Sequence, residues 1–288
     1  MLDQKSLVRI NRFIQSMPPL PVAITKILEV ARDPNVDAKK LNDIITLDPV
    51  LTGKVMKLIN SAYYSLPNRI TSVVRAIVML GINTVKNLVL STAVISSINE
   101  EKNFTSLDME NFWRHSICVG AMAKQFALEQ KINPKQSEEY FVAGLLHDIG
   151  KIPLNAVIPE RYLEAIDAAR TRQISLHNIE SELFEINHSD VGYRISELWK
   201  LNKNLKNTIR YHHNLNALEK DEKKFAATVT LADIVANRAS IGFSGNCCPD
   251  PVEEEIFKIT GLSPANVEKA EKDSEETIKK AEVFLKIS

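Results

Sequence analysis

Leu145-Leu146-His147-Asp148-Ile149-Gly150-Lys151 sets a histidine and a carboxylate side by side at the end of an apolar run, just before a glycine that can stop a helix. Neighbouring helical residues point about 100° apart, so this pair can converge on an ion lying over a helix end, not over a helix flank. Working outward, five more histidines fall at positions 115, 177, 188, 212 and 213, and none precedes residue 115. Asp233 sits within Leu231-Ala232-Asp233-Ile234-Val235-Ala236. A carboxylate in so apolar a run needs a cation or hydrogen-bonding partners if it is buried. A metal ion would satisfy it.

The surrounding pattern is helical. Only nine glycines occur in 288 residues, unpaired as hairpin turns would need. Leu7, Ile10, Phe13 and Ile14 recur at helical spacing up to Met17-Pro18-Pro19-Leu20-Pro21, where the prolines forbid continuation. Further stripes run through Val22, Ile24, Ile27 and Leu28 to Asp33-Pro34, through Leu41, Ile44 and Ile45 to Asp48-Pro49, through Leu51, Val55, Leu58 and Ile59, and around Gly81. Five or six packed helices are expected in the first hundred residues.

A polar stretch at 99–103 marks a boundary, giving an N-terminal helical lobe over 1–103 and a second helical lobe over 104–288. Thr105-x-x-Asp108 predicts a capping box opening the second lobe. Its helices are expected around 112–128, 138–146, 161–170, 177–184, 190–199, 205–211 and 225–239, with Ser263-Pro264 capping one last charged helix. The fold class is therefore all-α and two-lobed, without a central sheet.

Composition narrows the function classes. Lys plus Arg and Asp plus Glu both number 36, so bulk charge gives no case for nucleic-acid wrapping. No apolar run approaches the roughly 18 residues of a membrane span, and the first residues lack signal-peptide character, so a cytoplasmic location is expected. Cys118, Cys247 and Cys248 are an odd number without C-x-x-C spacing, which signals neither a disulfide framework nor a thiolate zinc site.

The order H … H-D … D, with LLHDIGK at its centre, resembles the signature of the HD metal-dependent phosphohydrolase superfamily. That resemblance implies that His115, His147, Asp148 and Asp233 ligate a divalent metal. His188, His212 and His213 match positions that hold a second metal in the related HD-GYP phosphodiesterases, with Asp148 bridging. The N-terminal half resembles the HDOD branch, through Met17-Pro18-Pro19-Leu20-Pro21, Asp48-Pro49, Asn60-Ser61-Ala62-Tyr63-Tyr64 and Ser72-x-x-x-Ala76-Ile77-x-x-Leu80-Gly81. Together the resemblance covers about residues 5 to 240.

The HDOD resemblance implies a signalling output module, non-catalytic, that relays its state to a protein partner. The ligand set implies as the alternative a phosphohydrolase or phosphodiesterase acting on a nucleotide or other phosphoester, with Asp148 and Lys151 as candidate catalytic residues. One or two ions are implied; imidazole and carboxylate donors suit iron or manganese and leave zinc and nickel open.

Each residue also has a plainer reading. His115 can be an ordinary helix histidine, His188 a helix cap, His212-His213 a solvated helix end, and Lys151 a solvated cation. His177 fits no motif and reads as a packing or surface residue. Asn60 to Tyr64 reads as a helix end whose tyrosines pack between the lobes.

After His212-His213 the chain continues Asn214-Leu215-Asn216-Ala217-Leu218-Glu219, with no D-G-x-G-Y-P segment, and Asn111 stands where such phosphodiesterases carry an acidic ligand. Hydrolysis of cyclic di-GMP by the metal-reconstituted protein should therefore be undetectable. Turnover at about 1 per second or faster, abolished by Asp148→Ala, would contradict this.

Overall fold

The computed structural model describes residues 4–17, 20, 22–30, 33, 37–98 and 105–287, and among them it is helical without strands. Pro18, Pro19, Pro21, Pro34 and the expected boundary at 99–103 lie outside the described residues.

Helix α1 (Gln4–Ser16) is followed by α2 (Val22–Val30), α3 (Ala38–Ile45), α4 (Pro49–Ile59), α5 (Val73–Leu80) and α6 (Ile82–Ile98). Local chemistry sets several starts. Asp37, Asp48 and Ser72 cap α3, α4 and α5 by accepting from the backbone N–H groups of Lys39, Leu51 and Arg75, and Pro49 occupies the first turn of α4. The stripes read from the sequence are the buried faces: Leu51, Val55, Leu58 and Ile59 in α4, and Val73, Ala76 and Ile77 in α5.

The second group comprises α7 (Met109–Glu129), α8 (Pro134–Leu146), α9 (Lys151–Val157), α10 (Pro159–Arg172), α11 (Leu176–Phe184), α12 (His188–Leu198), α13 (Lys203–Tyr211), α14 (Lys220–Arg238), α15 (Glu254–Thr260), α16 (Pro264–Lys272) and α17 (Ser274–Ala281). Two expectations are corrected and one helix is added. The α7 cap is Asp108 itself, whose carboxylate accepts from the backbone and side-chain N–H groups of Asn111, so Thr105 opens no capping box. A short helix that the stripes did not mark, α9, follows Gly150 directly. The single charged C-terminal helix is two helices, broken at Asp273, and a 3-10 turn (Glu282–Ile287) ends the described chain.

Helices α7 and α8 form the central layer. A Cβ built on Gly144 would lie 2.6 Å from the Gly120 Cα, and one on Gly120 would lie 2.6 Å from the Phe141 carbonyl oxygen. Two glycines thus let the two backbones touch. Helix α14 crosses the same layer, with Ala226 to Ala236 buried.

The two groups share one hydrophobic core. Helix α6 packs on α8, and α1 crosses to the second group, where the Arg9 guanidinium donates to the Val157 carbonyl at 3.0 Å. At the junction the Phe284 ring from the final turn lies 5.3 Å from Tyr63 and 4.6 Å from Phe141, centroid to centroid. The Tyr64 hydroxyl donates to Glu138 Oε2 at 3.2 Å, and Lys124 Nζ donates to Glu138 Oε1 at 2.6 Å while lying 4.6 Å from the Tyr63 ring centre. Asn60 ends α4 and ties the next loop down, exchanging hydrogen bonds with the Ile70 backbone at 2.7 and 2.9 Å.

Phe284 is 1% exposed. Phe284→Ala should cost about 3–5 kcal/mol of unfolding free energy, measured by denaturant titration.

Candidate metal centre

Three of the histidines singled out in the sequence sit at helix ends, and two of them end their helices with their own side chains. His147 follows α8 and brings its Nδ1 to 2.6 Å from the Gly144 carbonyl. His212 follows α13 with Nδ1 3.1 Å from the carbonyls of both Thr208 and Ile209. The last carbonyls of a helix lack intrahelical donors, and here imidazole N–H groups supply them. His188 opens α12 after the Asn187 cap, with Nδ1 2.6 Å and backbone N 2.8 Å from Glu180 Oε2.

Carbonyl and carboxylate oxygens accept only, so Nδ1 carries a proton in all three rings, and it is Nε2 that turns inward, free to offer its lone pair to a cation. His188 Nε2 and His212 Nε2 then face one another at 3.4 Å, lone pair to lone pair. His188 Nε2 is also 3.2 Å and His212 Nε2 3.8 Å from Asp148 Oδ1. His213 Nε2 comes within 3.1 Å of His188 Nε2. On the other side of Asp148, Oδ2 lies 3.3 Å from His147 Nε2, and Asp233 Oδ1 lies 3.4 Å from His147 Nε2 and 3.0 Å from His115 Nε2.

The structure therefore brings together all seven residues named as ligands. They form two groups sharing Asp148: His115 and His147 with Asp233 beside them, and His188, His212 and His213. Apart from half-buried His213, these side chains are almost wholly buried.

These residues fit metal ions. His147 Nε2 and Asp148 Oδ1 are buried without a hydrogen-bond partner, an arrangement that is costly unless a cation meets them. Three carboxylates, Asp148, Glu180 and Asp233, are buried here with one buried lysine, Lys151, whose Nζ donates to Asp148 Oδ2 at 2.6 Å. The balance calls for positive charge. Burial opposes ionisation of Asp148, but His147, Lys151 and His188 outweigh it and hold its carboxyl well below the usual range. Burial likewise opposes the His147 imidazolium, yet Asp148 and Asp233 push its pKa up to about 10. For a proton and a metal ion this lone pair is the same target. Burial and the neighbouring His147 and His188 push His212 down to about 3, which keeps its Nε2 unprotonated.

Several plainer readings give way. His115 is no surface helix residue, and His188 does not cap its helix. Lys151 is 2% exposed and ion-paired, so it is not a solvated cation. Gly150 is needed for close approach: a Cβ there would meet the His188 carbonyl oxygen at 1.9 Å. Asn111 bonds to Asp108 and the Gly242–Phe243 turn, through its carbonyl, and takes no part in the ligand set. Cys118, Cys247 and Cys248 are free thiols.

Sequence reading missed Glu180, which accepts from Tyr162 Oη at 2.7 Å besides orienting His188. Its signal was legible: it replaces an apolar residue in the stripe Leu176, Ile179, Leu183, Phe184. It also missed Asn237, whose amide donates to Asp233 Oδ1 at 2.7 Å. His177, read as packing, stacks on His213 with ring centres 4.5 Å apart, at the edge of a cleft of about 320 Å³ that opens beside His212, His213 and Asp233.

The sequence pattern of the HDOD domain matches residues 17–215, more than two thirds of the chain. The chain belongs to the HDOD family. An HDOD domain protein of unknown function from Geobacter sulfurreducens has the same fold, with a TM-score of 0.79, 24% identity and 98% of each chain covered. A candidate phosphohydrolase from Shewanella amazonensis SB2B gives 0.71 at 22% identity over 96% of this chain and 98% of that one. At such identity these likenesses carry the fold alone. An uncharacterised Treponema pallidum protein is 25% identical over 224 residues, 77% of this chain; the HDOD chain spans less than half of that relative's length, 42%.

Glu180→Ala removes the acceptor that orients His188. It should lower metal affinity about 10- to 100-fold, measured by competition with a chelator, whereas Tyr162→Phe should change it far less.

Proposed function

We propose that this HDOD chain is a metal-dependent phosphoester hydrolase, with His115, His147, Asp148 and Asp233 holding one divalent ion and Asp148, His188, His212 and His213 a second. The observation that carries this reading is the facing of Nε2 lone pairs across Asp148, each ring fixed from behind by its own hydrogen bond. When bound, such ions polarise a phosphoryl group and lower the pKa of water towards neutrality. The chain's residues supply the rest. Glu180 and the carbonyls of Gly144, Thr208 and Ile209 lock the imidazoles, so little rearrangement precedes binding. Lys151, held against Asp148, adds fixed positive charge where a phosphoryl oxygen would develop negative charge.

The donor set of imidazoles and carboxylates suits iron or manganese and also admits zinc or nickel. Among the described residues no helix is long and apolar enough to cross a membrane.

A second reading, the non-catalytic output module acting on a signalling protein, is favoured by a specific arrangement. Helices α7 and α8 carry His115 and His147 towards one end and Lys124 and Glu138 towards the other, where Tyr63 and Tyr64 dock. A change at the ions would then reach the N-terminal helices through two rigid elements in backbone contact.

Metal analysis with phosphomonoester assays separates the readings. The reconstituted chain should hold up to two ions and turn over small phosphomonoesters, and Asp148→Ala should remove metal and lower the rate at least about 100-fold. A fully loaded protein without turnover, whose cellular phenotype is lost in a folded Tyr64→Ala variant of normal metal content, would establish the output module instead.

A further inference from the structure

The cleft beside the candidate metal centre has an uneven charge. Its floor is formed by His212, His213 and Asp233, and its mouth carries Asp250, Glu253 and Glu255. Among the described residues no lysine or arginine lines it. Lys223, beside the lining residues Asn216 and Glu255, is already engaged: its Nζ donates to Asn216 Oδ1 at 3.0 Å and pairs with Glu255 at 3.7 Å. Lys151 is 2% exposed with its Nζ paired to Asp148 Oδ2, and it does not line the cleft. Asp250 and Glu253 are exposed at the opening, the former hydrogen-bonded with Ser175 and 4.0 Å from His213 Nδ1.

The mouth is fixed in place. The Phe243 N–H donates to the Asn111 carbonyl at 3.0 Å, tying the strap to α7, and Asn246 Oδ1 accepts from the Leu176 N–H at 3.2 Å, tying it to α11. Gly242 has a φ of 68°, and a Cβ there would meet the Asn111 oxygen and the His115 nitrogen at 2.4 Å. These ties hold residues 242–246, and Glu253 directly precedes α15, so the stretch that carries both carboxylates is anchored at its two ends.

Sites that bind a second phosphate or carboxylate present Arg or Lys forks to it. This cleft presents the opposite charge, and its volume of about 320 Å³ stands at the small end of ligand sites. We propose that it selects compact phosphomonoesters whose remainder is uncharged or carries an amine, and disfavours those bearing a second anionic group. The proposal rests on the phosphoester reading above and names the substrate class for that site. The phosphate would lie at the ions, and the remainder of the molecule would extend past His213 towards Asp250 and Glu253. Apolar Leu215 and Ile256 in the walls suit a short carbon chain.

Calorimetry on the full chain loaded with Mn²⁺ tests this with four probes: inorganic phosphate, phosphoethanolamine, glycerol 3-phosphate and 3-phosphoglycerate. The last three are similar in size and carry a positive, neutral or negative tail. Affinity should fall in that order, by about two- to fivefold per step, the worth of a solvent-exposed charge pair. In the double variant Asp250→Asn, Glu253→Gln the spread should shrink to less than about twofold. If 3-phosphoglycerate binds as tightly as phosphoethanolamine, or if the order survives in the variant, the selectivity proposal is wrong while the phosphoester reading stands. If inorganic phosphate binds equally with and without Mn²⁺, the phosphoester reading fails and the proposal falls with it.

Discussion

The backbones of α7 and α8 touch at Gly120 and Gly144, and the positions of most other groups follow from that contact. A side chain at either glycine would force the helices apart by the thickness of a methyl group or more. His115, one and a half turns before Gly120, would then draw away from His147, which follows Gly144 by three residues. Further along the same pair, Lys124 and Glu138 form their ion pair under the tyrosines that follow α4. Close packing converts two small residues into a fixed distance between two distant clusters of charge.

Buried charge is the other organising element. Asp148, Glu180 and Asp233 are surrounded by partners from many helices: α7, α8, α9, α10, α12, α13 and α14 all contribute. Removing a single partner would leave an uncompensated charge in the interior, which costs far more than the pair itself contributes. Such an arrangement holds the helices in register more than it strengthens them, because the same space filled by apolar side chains would pack at least as well. Its presence in an otherwise ordinary hydrophobic core points to chemistry.

Much of this was visible in the sequence, and the reasons for the exceptions are physical. The helical stripes of α4 and α5 and the LLHDIGK segment are local patterns that packing preserved. The residues alone singled out His147, Asp148 and Asp233, and the other candidate ligands came from the resemblance to the HD superfamily. Lys151 was ambiguous because its burial depends on Asp148 three residues earlier and on the α12 backbone approaching Gly150, a long-range contact. Glu180 was overlooked although it interrupts an apolar stripe, because its partners, Tyr162 and His188, come from neighbouring helices. The break at Asp273 was hidden for a different reason: opposite charges three and four residues apart run through it and mimic an unbroken helix.

The hydrogen bonds by which His147 and His212 finish their helices suggest how a chain of this architecture could change over evolutionary time. An asparagine can make a similar bond, as Asn60 does to the Met56 carbonyl and Asn237 to the Asp233 carbonyl in this protein. Replacing either histidine by asparagine would keep a donor for the helix end while deleting the inward lone pair. Descendants could thus shed their chemistry one residue at a time without first losing the scaffold, and the scaffold would remain free to serve recognition alone.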